Sequence, residues 1–281
     1  MIIWVTSFPR SGNTLVRTYL KAVFNEDSYS DEPQLVNFPN EVKVRFGHKD
    51  FEGLWQDFYE MAAKSEKTYF IKTHLPPKDS SPAIYVTRNG RNALQSYARY
   101  HTSFLNDRAK SLLELVLGAD HYGGWGEHKK LWEITSGKKL FLRFEDMISS
   151  PSHTISSLQG FLGLVQVGEW INPFSELHKL IPEFFGMGKT SLLVNEEGWT
   201  PTIEKIFLLL EGESMVRSGY CSVDIYQNAI NSIEPEIREW ADITRNLIDN
   251  TKYLLKECTN RLDVINSLNA VLEEKKRVAN G

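Results

Sequence analysis

The chain has 281 residues, 41% of them hydrophobic, enough to build the core of one large domain or of a domain with an appendage. Its formal net charge of -4 argues against a nucleic-acid surface, which needs clustered cations, and its two cysteines, Cys221 and Cys258, exclude a disulfide framework and a four-cysteine zinc site. No apolar run approaches membrane-spanning length, and the opening MIIWV has neither a basic lead-in nor a small-residue cleavage site, so a cytoplasmic protein without a membrane partner is expected.

The first element is the strand Ile2-Ile3-Trp4-Val5, followed by helical spacing from Leu15 to Phe24. Residues 25 to 66 mix Pro33, Pro39 and Gly47 with aromatic positions and read as an excursion from the sheet on the substrate side. Tyr69-Phe70-Ile71 and Ala83-Ile84-Tyr85-Val86 are further buried strands, the second followed by a helix over Ala93 to Tyr100. Leu140-Phe141-Leu142 is the last strand, with a helix from Ile155 to Phe161 after it. Strands alternating with helices predict an α/β fold with a parallel sheet covered on both faces.

Between the first strand and first helix lies TSFPRSGNT, residues 6 to 14. Backbone N–H groups of Ser11, Gly12, Asn13 and Thr14 at a helix start make an anion site, Gly12 lets a ligand approach, and Arg10 adds charge. The stretch lacks the first glycine and the lysine of a nucleotide-triphosphate loop, and a capped surface turn is the plain alternative. GMGKTS at 186 to 191 contains G-K-T but lacks the earlier glycine and a preceding strand, so it reads as a loop. In IKTHLP, residues 71 to 76, Lys72 and His74 leave a strand end on the same face, pairing a cation with a titratable imidazole. His48, His101, His121, His128, His153 and His178 are read as structural. In YVTRNGRNALQSY, residues 85 to 97, Arg88 ends a strand and Ser96 lies two turns into the next helix, a second anion site.

These stretches, with YGGWGEHKKLW at 122 to 132 and LRFEDM at 142 to 147, resemble in order the motifs of cytosolic-type sulfotransferases that use 3′-phosphoadenosine-5′-phosphosulfate (PAPS). The resemblance implies a P-loop nucleotide-kinase-like parallel sheet flanked by helices, and a reaction that leaves 3′-phosphoadenosine-5′-phosphate (PAP). It implies that Arg10, Ser11, Gly12, Asn13 and Thr14 hold the 5′-phosphosulfate, with Arg10 where the family usually has a catalytic lysine. It implies that Arg88 and Ser96 hold the 3′-phosphate, that His74 is the general base on the acceptor hydroxyl, and that Lys72 is its electrostatic companion. It also places Gly188 and Lys189 among the cofactor-binding residues, with Lys189 on the 3′-phosphate, in a later family element that this chain carries only as Gly188-Lys189 and Gly198-Trp199, with extra residues between and no preceding Arg. Leu15 stands where the family commonly has a tryptophan for stacking on adenine, and Phe144 where it commonly has a tyrosine against the base. No metal is expected, since the sulfuryl group carries less charge than a terminal phosphoryl. The acceptor is expected to be a small-molecule or glycan hydroxyl. Phe38, Phe46, Phe51, Trp55 and Tyr59 line an apolar acceptor pocket or simply fill the core.

Two other readings compete: a P-loop-like nucleotide-dependent kinase, disfavoured by the missing lysine, and a catalytically silent binding protein, disfavoured by the joint presence of Lys72, His74, Arg88 and Ser96. The organisation expected is a catalytic domain over residues 1–232 and a helical tail over 233–281. From Pro235 to about Arg277 the tail has no Gly or Pro, and Ile248, Leu255, Leu262 and Thr251, Cys258, Ile265, Leu272 recur at heptad spacing. With Asn269 in the first register, such a helix either pairs with a second copy or folds back on the domain.

Overall fold

The computed structural model describes residues 1–32, 38–105, 109–186 and 198–279, with side chains of the last helix described as far as Leu262. The chain runs through β1 (Ile2–Ser7), α1 (Asn13–Phe24), β2 (Ser28–Ser30), α2 (Asn40–Arg45), α3 (Trp55–Lys64), β3 (Tyr69–Thr73) and β4 (Ala83–Thr87). It continues through α4 (Gly90–Phe104), α5 (Leu112–Val116), α6 (Trp125–Ile134), β5 (Lys139–Arg143), α7 (Phe144–Ser149) and α8 (Pro151–Leu162). The last elements are α9 (Phe174–Leu180), α10 (Pro201–Arg217), α11 (Val223–Asn231) and α12 (Pro235–Ala279).

The five strands form one sheet in the order β2-β3-β1-β4-β5, and every pairing is parallel. A parallel sheet needs cover on both faces, and β1 shows how the sequence supplies it. Ile3 and Val5 point into a core shared with α1, α8 and α9, while Ile2 and Trp4 point into a second core with Phe58 and Ala62 of α3 and Trp132 of α6. A third cluster joins α4, α5, α6 and α10 around Trp125 and Phe207.

The α/β layout follows the sequence expectation, and the excursion between 25 and 66 adds to it. Ser28–Ser30 is an edge strand of three residues, two of them serine, and carries no apolar run that would announce it. Of the aromatic residues there, Phe38 and Phe46 belong to the α1 side of the sheet, whereas Phe51, Trp55 and Tyr59 pack with Trp4 on the opposite face.

The first third of α12 folds back. Ala241 is fully buried beside α10, Ile237 and Ile248 pack against the same cluster, and Arg245 reaches Glu127 at 3.4 Å. Beyond Lys252, which bonds the carbonyl of Gly118, the heptad residues Leu255 and Leu262 are 62% and 56% exposed. Among the described residues no helix is long and apolar enough to cross a membrane.

Candidate active site

In the strand order, β1 is flanked by β3 and β4, and the loops leaving their carboxyl ends part to open a crevice. A cavity of about 1290 Å³ occupies it. Arg10, Gly12, Asn13 and Thr14 line it after β1, Lys72 and His74 at the end of β3, and Arg88, Ser96 and Phe144 on the β4 side. Ser11 is fully buried beneath this wall. Gly188 and Lys189 lie outside the described residues.

The loop after β1 holds its shape by two left-handed residues, Arg10 at φ 62° and Gly12 at φ 115°. Only glycine fits the second position: a Cβ there would stand 2.9 Å from Cδ2 of Phe144 and 3.1 Å from Cγ1 of Val86. Gly12 is the N-cap of α1, no side chain caps the helix, and no acidic residue occupies its first turn. The leading N–H groups and the positive helix end therefore face the cavity uncompensated. The Asn13 side chain is turned the other way: its amide nitrogen donates to the carbonyl of Val5 at 2.9 Å and to that of Thr73 at 3.5 Å. Asn13 thus ties the loop to β1 and β3, leaving its backbone N–H for the cavity.

Arg10 extends along the cavity wall to the residues expected at the other phosphate. Its Nε donates to Ser96 Oγ at 3.3 Å and its Nη2 to the carbonyl of Phe184 at 2.5 Å, with the guanidinium over the rings of Phe184 and Tyr100. Burial and the like charge of Arg88 bring its pKa down to about 10. Arg88 donates from Nη1 to the carbonyl of Arg10 at 3.1 Å and stacks on Phe144 at 4.6 Å, while its buried Nε has no hydrogen-bond partner among the described residues. The turn is held by Glu145, which accepts from the Asn89 N–H at 3.0 Å and from the Tyr220 hydroxyl at 2.7 Å.

On the β3 side, Nδ1 of His74 lies 2.7 Å from the carbonyl oxygen of Ser7. A carbonyl only accepts, so Nδ1 carries the proton and Nε2 is left as the basic nitrogen. Burial, reinforced by the charge of Lys72, holds the imidazole pKa down at about 3, against the opposing pull of Glu32. Glu32 organises the neighbourhood: one oxygen takes the Lys72 ammonium at 2.5 Å and the His74 backbone N–H at 2.9 Å, the other takes the Tyr122 hydroxyl. Burial resists ionisation of Glu32, but His74, Lys72 and Tyr122 outweigh it and the pKa falls to about 2. His128, buried behind this group, donates to the carbonyl of His74 at 2.8 Å and accepts from Tyr85 at 2.9 Å.

Glu32 and Tyr122 carry no mark of this role in the sequence, since they are 90 positions apart and meet only through the fold. The arrangement can hold anions at the start of α1 and at the Arg10 and Arg88 guanidiniums, with the unprotonated His74 imidazole lining the same cavity. Among the described residues no group of three or more His, Cys, Asp or Glu side chains is arranged to hold a metal ion.

The sulfotransferase domain model matches residues 2–176. The chain belongs to the sulfotransferase domain family. The dog sulfotransferase 1B1 is 28% identical over 57% of this chain and 58% of its own length. The mouse sulfotransferase 4A1 is 26% identical over 58% and 60% of the two chains, and a flavonol 3-sulfotransferase of Flaveria bidentis is 24% identical over 57% and 56%. The chain therefore spans less than two thirds of the length of the curated relatives it matches. The crystal structure of the mouse sulfotransferase SULT7A1, complexed with PAP, superposes with a TM-score of 0.53 over 81% of this chain and 86% of that one, at 19% identity. The likeness shows the sulfotransferase fold, while α10 to α12 fall outside the matched domain.

Proposed function

We propose that the chain moves the sulfuryl group of PAPS to a hydroxyl of a small-molecule or glycan acceptor, with His74 as general base and PAP as product. One observation carries the reading. A single cavity joins the uncapped start of α1 and the Arg88 guanidinium to an imidazole whose Nδ1–H is fixed on Ser7.

The residues fit the donor. The bare helix start and Gly12 suit the 5′-phosphosulfate, and Arg88, with an unsatisfied buried Nε, suits the 3′-phosphate that distinguishes PAPS from common adenine nucleotides. Phe144, stacked on Arg88, offers a ring beside the base without a hydroxyl. The mouse neighbour was solved with PAP, which supports the same ligand class here. When bound, the donor supplies an electrophilic sulfuryl group on a phosphate leaving group.

The pKa of about 3 keeps the His74 ring unprotonated near neutrality with Nε2 free to accept, as a weak base that gains strength when the anionic donor enters the cavity and favours the protonated form. Lys72, fixed by Glu32, is close enough for its charge to act on His74 and would steady the developing charge of the transferred group. Arg10 supplies a second cation at the cradle, and its bond to Ser96 links the two phosphate ends of the site.

Calorimetric titration with PAP, ADP and ATP, with and without Mg²⁺, tests the reading on the wild type and on Arg88→Ala. Metal-independent binding that requires the 3′-phosphate and Arg88 is the expected result. Preference for ATP with Mg²⁺ would turn the reading toward a kinase.

A further inference from the structure

Four arginines line the cavity with no carboxylate at ion-pair distance among the described residues: Arg10, Arg17, Arg88 and Arg99, of which Arg99 is exposed and solvated and the other three are buried or half-buried. Of those three, the proposed donor accounts for Arg10 and Arg88. Arg17 belongs to neither end of it.

Arg17 lies three residues beyond Thr14 on α1, one turn below the cradle on the same face, and is 4% exposed. Its Nε donates to Ser28 Oγ at 2.7 Å, its Nη2 to Nδ1 of His48 at 2.8 Å, and its guanidinium stacks on Phe46 at 4.5 Å. The other nitrogen of His48 lies 3.0 Å from Asp50, whose carboxylate accepts there, so His48 meets Arg17 as a neutral acceptor. Burial and the Arg17 charge together lower the His48 pKa to about 4, which keeps it neutral. A hydroxyl, a neutral imidazole and a phenyl ring orient the fork without neutralising it.

Of the acidic groups on this side of the cavity, Glu32 holds Lys72, whereas Asp31 comes no nearer to a cation than Lys78 at 3.8 Å and its buried oxygens have no hydrogen bond; neither lies at ion-pair distance from Arg17 among the described residues. Burial lowers the Lys72 ammonium pKa, and the charge of Arg17 adds a small push in the same direction. No bond from Nη1 is present among the described residues. A buried cation without a counter-charge is costly, and its retention beside a ligand cavity calls for an anion that arrives with the ligand. Phe38 and Phe46 on the same wall supply the apolar surface around it.

We propose that Arg17 reads the acceptor: its free guanidinium edge binds an oxyanion group, carboxylate, sulfate or phosphate ester, carried beside the hydroxyl to be sulfated, so the acceptor is an anionic molecule. The inference rests on the sulfotransferase reading above.

The test uses radiolabelled PAPS and acceptors in matched pairs: 4-hydroxyphenylacetate against 4-ethylphenol, glucuronic acid against glucose, and glucosamine 6-phosphate against glucosamine. PAP binding is measured on the same samples. The expected result is kcat/KM higher for the anionic member of at least one pair by roughly tenfold or more, with the ratio collapsing toward unity in Arg17→Gln through a rise in KM. Which pair discriminates identifies the anion. Arg17→Lys, which keeps the charge but loses the planar fork, is expected to lower the ratio by roughly threefold and carries the test should the Gln variant fail to fold. Transfer only to neutral members, no transfer to any anionic member, or a ratio unchanged in both variants would overturn the inference while PAP binding leaves the sulfotransferase reading standing. A wild type that binds no PAP overturns both.

Discussion

The Nδ1–H of His74 is bonded to the carbonyl oxygen of Ser7, so the residue after β3 is locked to the last residue of the central strand. The tautomer is thereby set by the sheet itself. His74→Ala is expected to lower kcat by roughly 10² to 10⁴-fold while PAP still binds, measured by sulfuryl transfer and calorimetry on one preparation. Because the wild-type ring titrates near 3, kcat/KM should show no acid limb around the ordinary imidazole pKa. A sharp loss of activity on passing from pH 7 to pH 6 would contradict that environment.

Arg88→Ala should weaken PAP by roughly 10 to 100-fold and leave ADP, which lacks the 3′-phosphate, nearly unaffected. The asymmetry between the two nucleotides is the informative quantity. Equal losses would mean that Arg88 supports the Arg10 loop through its bond to the Arg10 carbonyl and does no more.

Gly12→Ala combines backbone strain at φ 115° with a Cβ 2.9 Å from the Phe144 ring. A cost of about 1–3 kcal/mol is expected, read as a fall in denaturation midpoint. Pairing it with Phe144→Ala should relieve the contact but leave the strain, so the double variant recovers only part of the loss.

Glu211 gives a pH signature remote from the cavity. It is buried, accepts from the Gly126 N–H at 2.7 Å and faces Arg245 at 4.0 Å, yet burial prevails and raises its pKa to about 7. The folded pKa lies above the unfolded one, so the folded state binds the extra proton between about 4.5 and 7 and stability falls as pH rises through that window. Glu211→Gln, which cannot ionise, should lose less thermal stability between pH 5 and pH 8 than the wild type.

The last helix can be probed by contrast. Ala241→Leu inserts volume where α12 packs on α10 and should cost about 1–3 kcal/mol. Leu255→Ala removes a side chain 62% exposed and should change stability by less than about 0.5 kcal/mol in a monomer. A larger loss, with a melting temperature that rises with protein concentration, would show a second copy packed along the heptad positions.

The strands that are legible in the sequence are those with continuous β-branched or aromatic runs, such as Ile2 to Val5 and Ala83 to Val86. The edge strand Ser28–Ser30 is illegible because two of its three side chains are serine, and Ser28 earns its place by holding Arg17. Lys72, His74 and Arg88 can be picked out locally because each sits at a strand end with a charged or polar neighbour, and Ser96 by its spacing after Arg88, two turns into the helix that follows. Glu32, Tyr122 and Glu145 cannot, since their value lies in partners 40 to 90 positions away, such as Lys72, Tyr122 and Tyr220. The direction taken by Arg10 is likewise a tertiary result, decided by Ser96 and the carbonyl of Phe184.

The Asn13 amide, spanning the carbonyls of Val5 and Thr73, fastens the loop proposed here as the anion cradle to two strands before any ligand arrives. Little chain has to be frozen when a phosphate enters, so association there should carry a small entropic penalty and proceed at a rate governed by diffusion and charge attraction. Slow, temperature-sensitive steps in turnover would then be sought at the acceptor side of the cavity or in product departure, where the wall is built from longer connections.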